Sequence, residues 1–192
     1  TLSLHDALPI CATFFLNGEF IRRHGAAAKE IADAGHETAS LFFAPIDLSD
    51  GRYRIDAEFI HRGLARNEDE FFQATGYELA LLWHPPYYAS SPAVVSAAAT
   101  VGYRTIGRDV DPLDWVGRSE GRSYSLPYRG ASEMVDEIMA AKKPGSIISL
   151  RLGLPPGGRD AYLFSRLDVL LDALVRSGYA VVPVSTLIEH GR

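Results

Sequence analysis

The sequence predicts an α/β chain built from repeated βαβ units, and two observations carry that prediction. Short, dense apolar runs recur along its 192 residues, and segments with apolar spacing near 3.6 residues lie between them. The longer polar loops follow the apolar runs, at the strand ends where α/β barrels place their functional loops. Such a series makes either an open doubly wound sheet or a barrel. No Gly-rich phosphate fingerprint follows any strand, which counts against a nucleotide-binding sheet.

Taken in order, "ATFFL" predicts a strand near 12–16, apolar enough to be buried on both faces of a parallel sheet. "NGEFIRRHGAAAKEIADAG" predicts one helix, with Phe20, His24, Ala28 and Ile31 on one face and Gly35 as its stop. "HETASLFF" is the next strand, near 36–42. Asp56 is placed to cap a helix that Gly76 closes. "YELALLW" gives a strand near 79–83, and "SSPAVVSAAATVG" a helix with Ser91 as N-cap and Pro92 at its first position. "YRTIGRDV" gives a strand near 103–108. A helix stopped by Pro144 and Gly145 leads to a strand near 146–151 in "SIISLRL". Leu163, Leu167, Leu170 and Leu174 form the stripe of the next helix, and "AVVPVS" predicts a last strand near 180–184. The polar loops are "APIDLSDGRYRID", "VGRSEGRSYSLPYRGA" and "GLPPGGRDA".

Composition narrows the function classes. The net charge is −5, so no global basic field recruits nucleic acid or an anionic membrane surface. No apolar run approaches the roughly 20 residues of a membrane span. A single cysteine forms no intrachain disulfide and no cysteine zinc cluster.

The order of local signals resembles the polysaccharide deacetylase family, the NodB-homology domain of carbohydrate esterase family 4. "ATFFLNGEFIRRHGAAAKEIADAGHE", "HPPYYAS", "DVDPLDW", "PGSIISLRL" and "LLDALVRSGYAVVPVSTLIE" match successive family passages over residues 12–190. The resemblance implies a distorted (β/α) barrel, here incomplete because the first strand is missing. It also implies metal-dependent removal of N-acetyl groups from amino-sugar polymers. A divalent metal such as zinc, held by one Asp and two His, would activate water beside an Asp base. A His would protonate the leaving amine. The family is often extracellular or in the cell envelope, but with no native N-terminus in view the sequence assigns this chain no location.

Against that pattern the chain departs sharply. The first motif, T-F-D-D-G-P, is absent before "ATFF". The two histidine positions of the second motif are Leu41 and Pro45, neither of which binds a metal. The Arg of the third motif is His84, while Pro85, Pro86 and Tyr87 match; Asp111, Asp114 and Trp115 match the fourth. The leaving-group His of the fifth is Arg151, which stays protonated at neutral pH and cannot cycle a proton.

The candidate catalytic residues are therefore His84 and Asp111, and the candidate substrate-binding residues Pro86, Tyr87, Asp114, Trp115 and Arg151, with no metal ligand and no cofactor. Tyr87 would by resemblance offer its backbone N–H to an oxyanion, or "PPYY" is a rigid turn with an aromatic wall. Asp111 and Asp114 would orient a base, bind sugar hydroxyls or cap a loop. Trp115 would stack on a sugar or close the core, and Arg151 is expected to pair with Asp111. His36 is expected to anchor a strand edge, with His24 and His61 as helix residues. The expectation is a carbohydrate-binding domain or pseudoenzyme, the partner being an amino-sugar polymer or oligosaccharide. The alternative is a metal-independent hydrolase of carbon–nitrogen bonds built on His84 and Asp111.

Residues 1–10, "TLSLHDALPI", equal codon for codon the translation of ACTCTTTCCCTACACGACGCTCTTCCGATC, part of a common short-read sequencing adapter. They are expected to be an assembly artefact, with residues 11–192 forming a single deacetylase-like domain and the first motif lying upstream.

Overall fold

The structure, a computed structural model, describes residues 10–118, 126–153 and 158–190. The adapter-like segment up to residue 9, with parts of two of the polar loops, lies outside the described residues. The chain packs as two compact units. One runs up to Gly107 and includes Val182–Ile188; the other is Arg108–Val181 with the residues from Glu189.

The first unit carries a parallel sheet in the order β1 (Thr13–Leu16), β2 (Glu37–Ser40), β3 (Ala80–Trp83), β4 (Arg104–Thr105). Among the described residues this sheet is open, resembling part of a (β/α) barrel without closing into one. The four strands fall where the sequence places them, although β4 is shorter than expected. Asp56 caps α3 (Ala57–Thr75) by accepting the Phe59 N–H, and Gly76 closes it in the left-handed region (φ 78°). Ser91 caps α4 (Pro92–Thr100), with Pro92 at the first helical position.

The single helix expected over 17–35 is two, α1 (Gly18–Arg23) and α2 (Gly25–Asp33). Its ladder breaks at His24 (φ −135°, ψ 43°), whose N–H still bonds to Phe20 O. Gly25 both weakens the helix and lets α2 approach α3, since a Cβ there would meet Ala74 Cβ at 3.3 Å. Gly35 ends α2 with φ 80°, as expected.

Two apolar clusters fill this unit. Leu16, Ile21, Ala28, Phe71 and Leu79 pack together on one side. Phe42, Leu48, Ile60, Leu64, Trp83, Val94, Ala97, Ala98 and Tyr103 form the other. Phe42 follows β2 at φ 67° and drives its ring onto Gly63 of α3, where an added Cβ would lie 2.2 Å from Phe42 Cζ. The ring cannot retreat, because it is fully buried. Gly63→Val should therefore cost about 1–3 kcal/mol or more through overpacking, measured by urea unfolding.

In the second unit, Val110 and Ile148 make one parallel bridge, supported by Ser149 N–H to Val110 O. The strand expected over 146–151 is reduced to that bridge because side chains capture its backbone donors. Ile147 N–H goes to Asp109 Oδ1, and Arg151 N–H to Asp114 Oδ2. Helix α5 (Ala131–Ala141), the 3₁₀ turn Leu163–Arg166 and α6 (Leu167–Arg176) enclose a core of Met134, Ile138, Leu163, Leu170 and Leu174.

No strand forms over 180–184; instead Val184–His190 is a helix, α7. Pro183 has no N–H for a ladder, and its carbonyl accepts Leu187 N–H in the first helical turn. The free donors of that turn find partners in β1 and β2. Val184 N–H donates to Thr13 Oγ1 (2.8 Å) and Ser185 N–H to Glu37 Oε2 (3.3 Å).

Candidate functional site

In the first unit, the C-terminal end of β3 delivers His84, and Pro85 and Pro86 fix the turn that follows. His84 Nδ1 lies 3.0 Å from Pro85 O, close enough to donate to it. The imidazole lies parallel to the Tyr88 ring, with centroids 4.4 Å apart, and tilts onto Phe15 at 4.8 Å. Pro86 is buried, whereas Tyr87 is 59% exposed and its hydroxyl donates a long bond to Pro45 O (3.4 Å).

The positions that resemble metal-ligand positions hold no donor. Leu41 is a half-buried hydrocarbon whose N–H continues the β1 pairing through Leu16 O, and Pro45 is exposed. Among the described residues no group of three or more His, Cys, Asp or Glu is arranged to hold a metal ion. These side chains do not fit the family's metal. His36 serves as a strand-edge anchor, its Nδ1 accepting Ala12 N–H and its ring resting on Phe14. His61 Nε2 ties α3 to α4 through Ala97 O and Thr100 Oγ1.

Asp111, Asp114, Trp115 and Arg151 belong to the second unit. Asp111 does not pair with Arg151 as expected; its Oδ2 meets Arg108 at 2.6 Å, and its Oδ1 accepts Leu113 N–H. The local Arg three residues earlier reaches the carboxylate first, and the Arg151 side chain is exposed. What Arg151 supplies is its backbone N–H, 2.6 Å from the buried Asp114 carboxylate. Leu113, between the two acids, holds φ 57°. Trp115 is half-buried beside the fully buried Val116.

Burial pushes the Asp114 carboxyl above its ordinary value of 3.8, and the neighbouring Asp111 charge adds to this. The Arg151 N–H and the Arg151 and Arg159 charges oppose it without reversing it. A carboxyl raised on folding binds its proton more tightly in the native state. Its contribution is thus present at low pH and lost as pH rises through the raised value. Asparagine keeps the acceptor for Arg151 N–H and does not titrate. Relative to the parent, Asp114→Asn should gain stability as pH rises from about 4 to 7, measured by urea unfolding across that range.

Sequence reasoning missed Arg159, a buried guanidinium in "GGRD" with no local pattern to mark it. It donates to the carbonyls of Val116, Arg129 and Ala161 and lies over the Tyr128 ring at 4.8 Å. It also missed Asn67, whose Nδ2 joins Leu16 O to Ser40 Oγ behind the sheet.

The sequence pattern of the family "Polysaccharide deacetylase" matches residues 2–106. The chain is 28% identical over 172 residues to a chitooligosaccharide deacetylase of Rhizobium leguminosarum bv. trifolii, covering 90% of this chain and 71% of that one. Its fold is like that of BA3943, a CE4 family pseudoenzyme from Bacillus anthracis (TM-score 0.72, 22% identity). That alignment covers 93% of this chain and 55% of that one, a little over half its length. The Bc1960 peptidoglycan N-acetylglucosamine deacetylase is similar too (TM-score 0.76, 21% identity, 93% of this chain and 75% of that one). The parallel sheet, the strand-end turn after His84 and the matching family pattern agree: this chain belongs to the polysaccharide deacetylase family.

Proposed function

We propose that this chain is a carbohydrate-binding member of the family that has lost the metal-dependent deacetylation route. The reading rests on Leu41 and Pro45, which by resemblance stand at the family's two imidazole positions and are a hydrocarbon and an exposed pyrrolidine with no side-chain donor atom. Arg151 at the proton-donor position adds to it, since a guanidinium stays charged where the chemistry needs a group that titrates near neutrality. The groups that remain suit sugar recognition. The first unit offers an exposed tyrosine, and the second, taken by itself, a half-buried tryptophan and two carboxylates held by backbone donors. The ligand class is an amino-sugar oligomer, as for the chitooligosaccharide deacetylases the chain resembles.

The test is paired. Acetylated chitooligosaccharides should bind, seen as saturable shifts in an NMR titration, while an acetate assay with added Zn²⁺ or Co²⁺ reads background. Metal-dependent acetate release would overturn the reading. Metal-independent release abolished by His84→Ala would also overturn it and mark a hydrolase using different chemistry.

A further inference from the structure

We infer that a groove at the N-terminal ends of β2 and β3 binds the free ammonium group of a non-acetylated amino-sugar unit. The groove lies wholly in the first unit, at the opposite end of the strands from His84. Its volume is about 400 Å³, within the range of small-ligand sites, and His36, Glu37, Thr38, Tyr77, Glu78 and Leu79 line it. The amino sugar as carrier rests on the carbohydrate reading above, whereas the preference for a cation rests on the groove itself. The starting observation is Thr38. It is only 7% exposed, yet among the described residues its hydroxyl has no hydrogen-bond partner. A buried hydroxyl left so costs free energy, which a ligand that supplies the missing bond recovers.

The charge along the groove is negative and unanswered. Among the described residues neither Glu37 nor Glu78 forms an ion pair. Glu37 Oε2 takes neutral donors, Thr13 Oγ1 (2.5 Å) and Ser185 N–H (3.3 Å), which fix the carboxylate without cancelling its charge. Lys29 is held by Asp33 (2.8 Å), so its own charge is balanced locally. Tyr77 donates to the same Asp33 (2.9 Å), which sets its ring as one wall, and buried Leu79 adds an apolar surface. Ala32, in the last turn of α2, also borders the groove, where the partial negative charge of a helix C-terminus favours a cation. An ammonium has three donors and no acceptor, which matches a lining of one hydroxyl and two carboxylates. His36 supplies the opposite polarity. Its Nδ1 accepts Ala12 N–H, so the neutral ring carries its proton on Nε2, suited to a sugar hydroxyl. Removal of an N-acetyl group leaves such an amine, so a chain without the deacetylation route would recognise what that chemistry makes.

The experiment titrates fully de-N-acetylated chitotetraose into the full chain at about pH 6, with acetylated chitotetraose and n-butylammonium as comparisons. NMR follows the backbone amides lining the groove, and thermal unfolding checks that each variant folds. The free-amine tetramer should shift the groove amides saturably, and the acetylated tetramer should leave them unmoved. Thr38→Val keeps the shape and removes the hydroxyl; it should lower that affinity about tenfold, and Glu78→Gln about threefold. Groove shifts by the acetylated tetramer equal to those by the free amine overturn the proposal. Parent-like affinity in both variants, or shifts spread over the whole surface, overturn it too. Equal affinity for n-butylammonium overturns the sugar as carrier. None of these results touches the carbohydrate reading, which falls only if the acetylated tetramer binds nowhere on the chain.

Discussion

Phe42→Ala should lower the unfolding free energy by about 3–5 kcal/mol, the range for emptying a well-packed aromatic site. The ring is fully buried, with Phe43, Phe59 and Trp83 centroids at 4.9, 5.9 and 6.2 Å. Two features keep the cavity from closing. The backbone is already at φ 67°, a conformation that alanine relieves no better than phenylalanine. The opposing wall is Gly63, which has no side chain to move into the space. The consequence reaches function, because Phe42 immediately follows Leu41 and is part of the loop that leads to Pro45. In this chain that loop contributes its bulk to the core beneath the strand ends. Urea unfolding with an unchanged denaturant slope is the measurement, and a loss below about 1 kcal/mol would show that the site collapses.

Arg159→Met should cost about as much, roughly 3–5 kcal/mol, for a polar reason. Methionine keeps much of the stem volume but removes the donors on which the carbonyls of Val116, Arg129 and Ala161 depend. Each buried carbonyl left without a partner costs about 1–3 kcal/mol, less where water enters. The stacking of the guanidinium on Tyr128 is lost as well. Arg159→Lys should recover only part of the loss, because an ammonium cannot reach the same carbonyls with a planar fork. Equal stability of Arg159→Met and the parent would show that the guanidinium is dispensable to the second unit.

How much of this was legible in the sequence depends on where each residue's partners lie. The four strands of the first unit and the caps at Asp56, Gly76, Ser91 and Pro92 follow from local chemistry, and they appear where expected. The break at His24 was not legible, because it reflects the close approach of Gly25 to Ala74, far along the chain. The weak strand near Ile148 and the missing one near Val182 fail for one reason. Period-2 apolar patterns report burial, but side chains of Asp109, Asp114, Thr13 and Glu37 took backbone donors that a ladder or helix start would need. At the site, His84 and the Pro–Pro–Tyr turn stood out in the sequence, whereas the tie of Asp111 to Arg108 was misassigned to Arg151. Arg159 sat in a loop whose sequence gives no sign of burial.

As proposed above, this chain does not hold the divalent metal of its family. The most direct measurement is a calorimetric titration of the full chain with Zn²⁺ and then with Co²⁺ at neutral pH. Leu41 and Pro45 offer no donor, and tight binding needs three or more protein ligands in fixed geometry. No saturable heat at one metal per chain is expected, whereas stoichiometric binding of either ion, with acetate released only when it is present, would contradict the loss of the metal site.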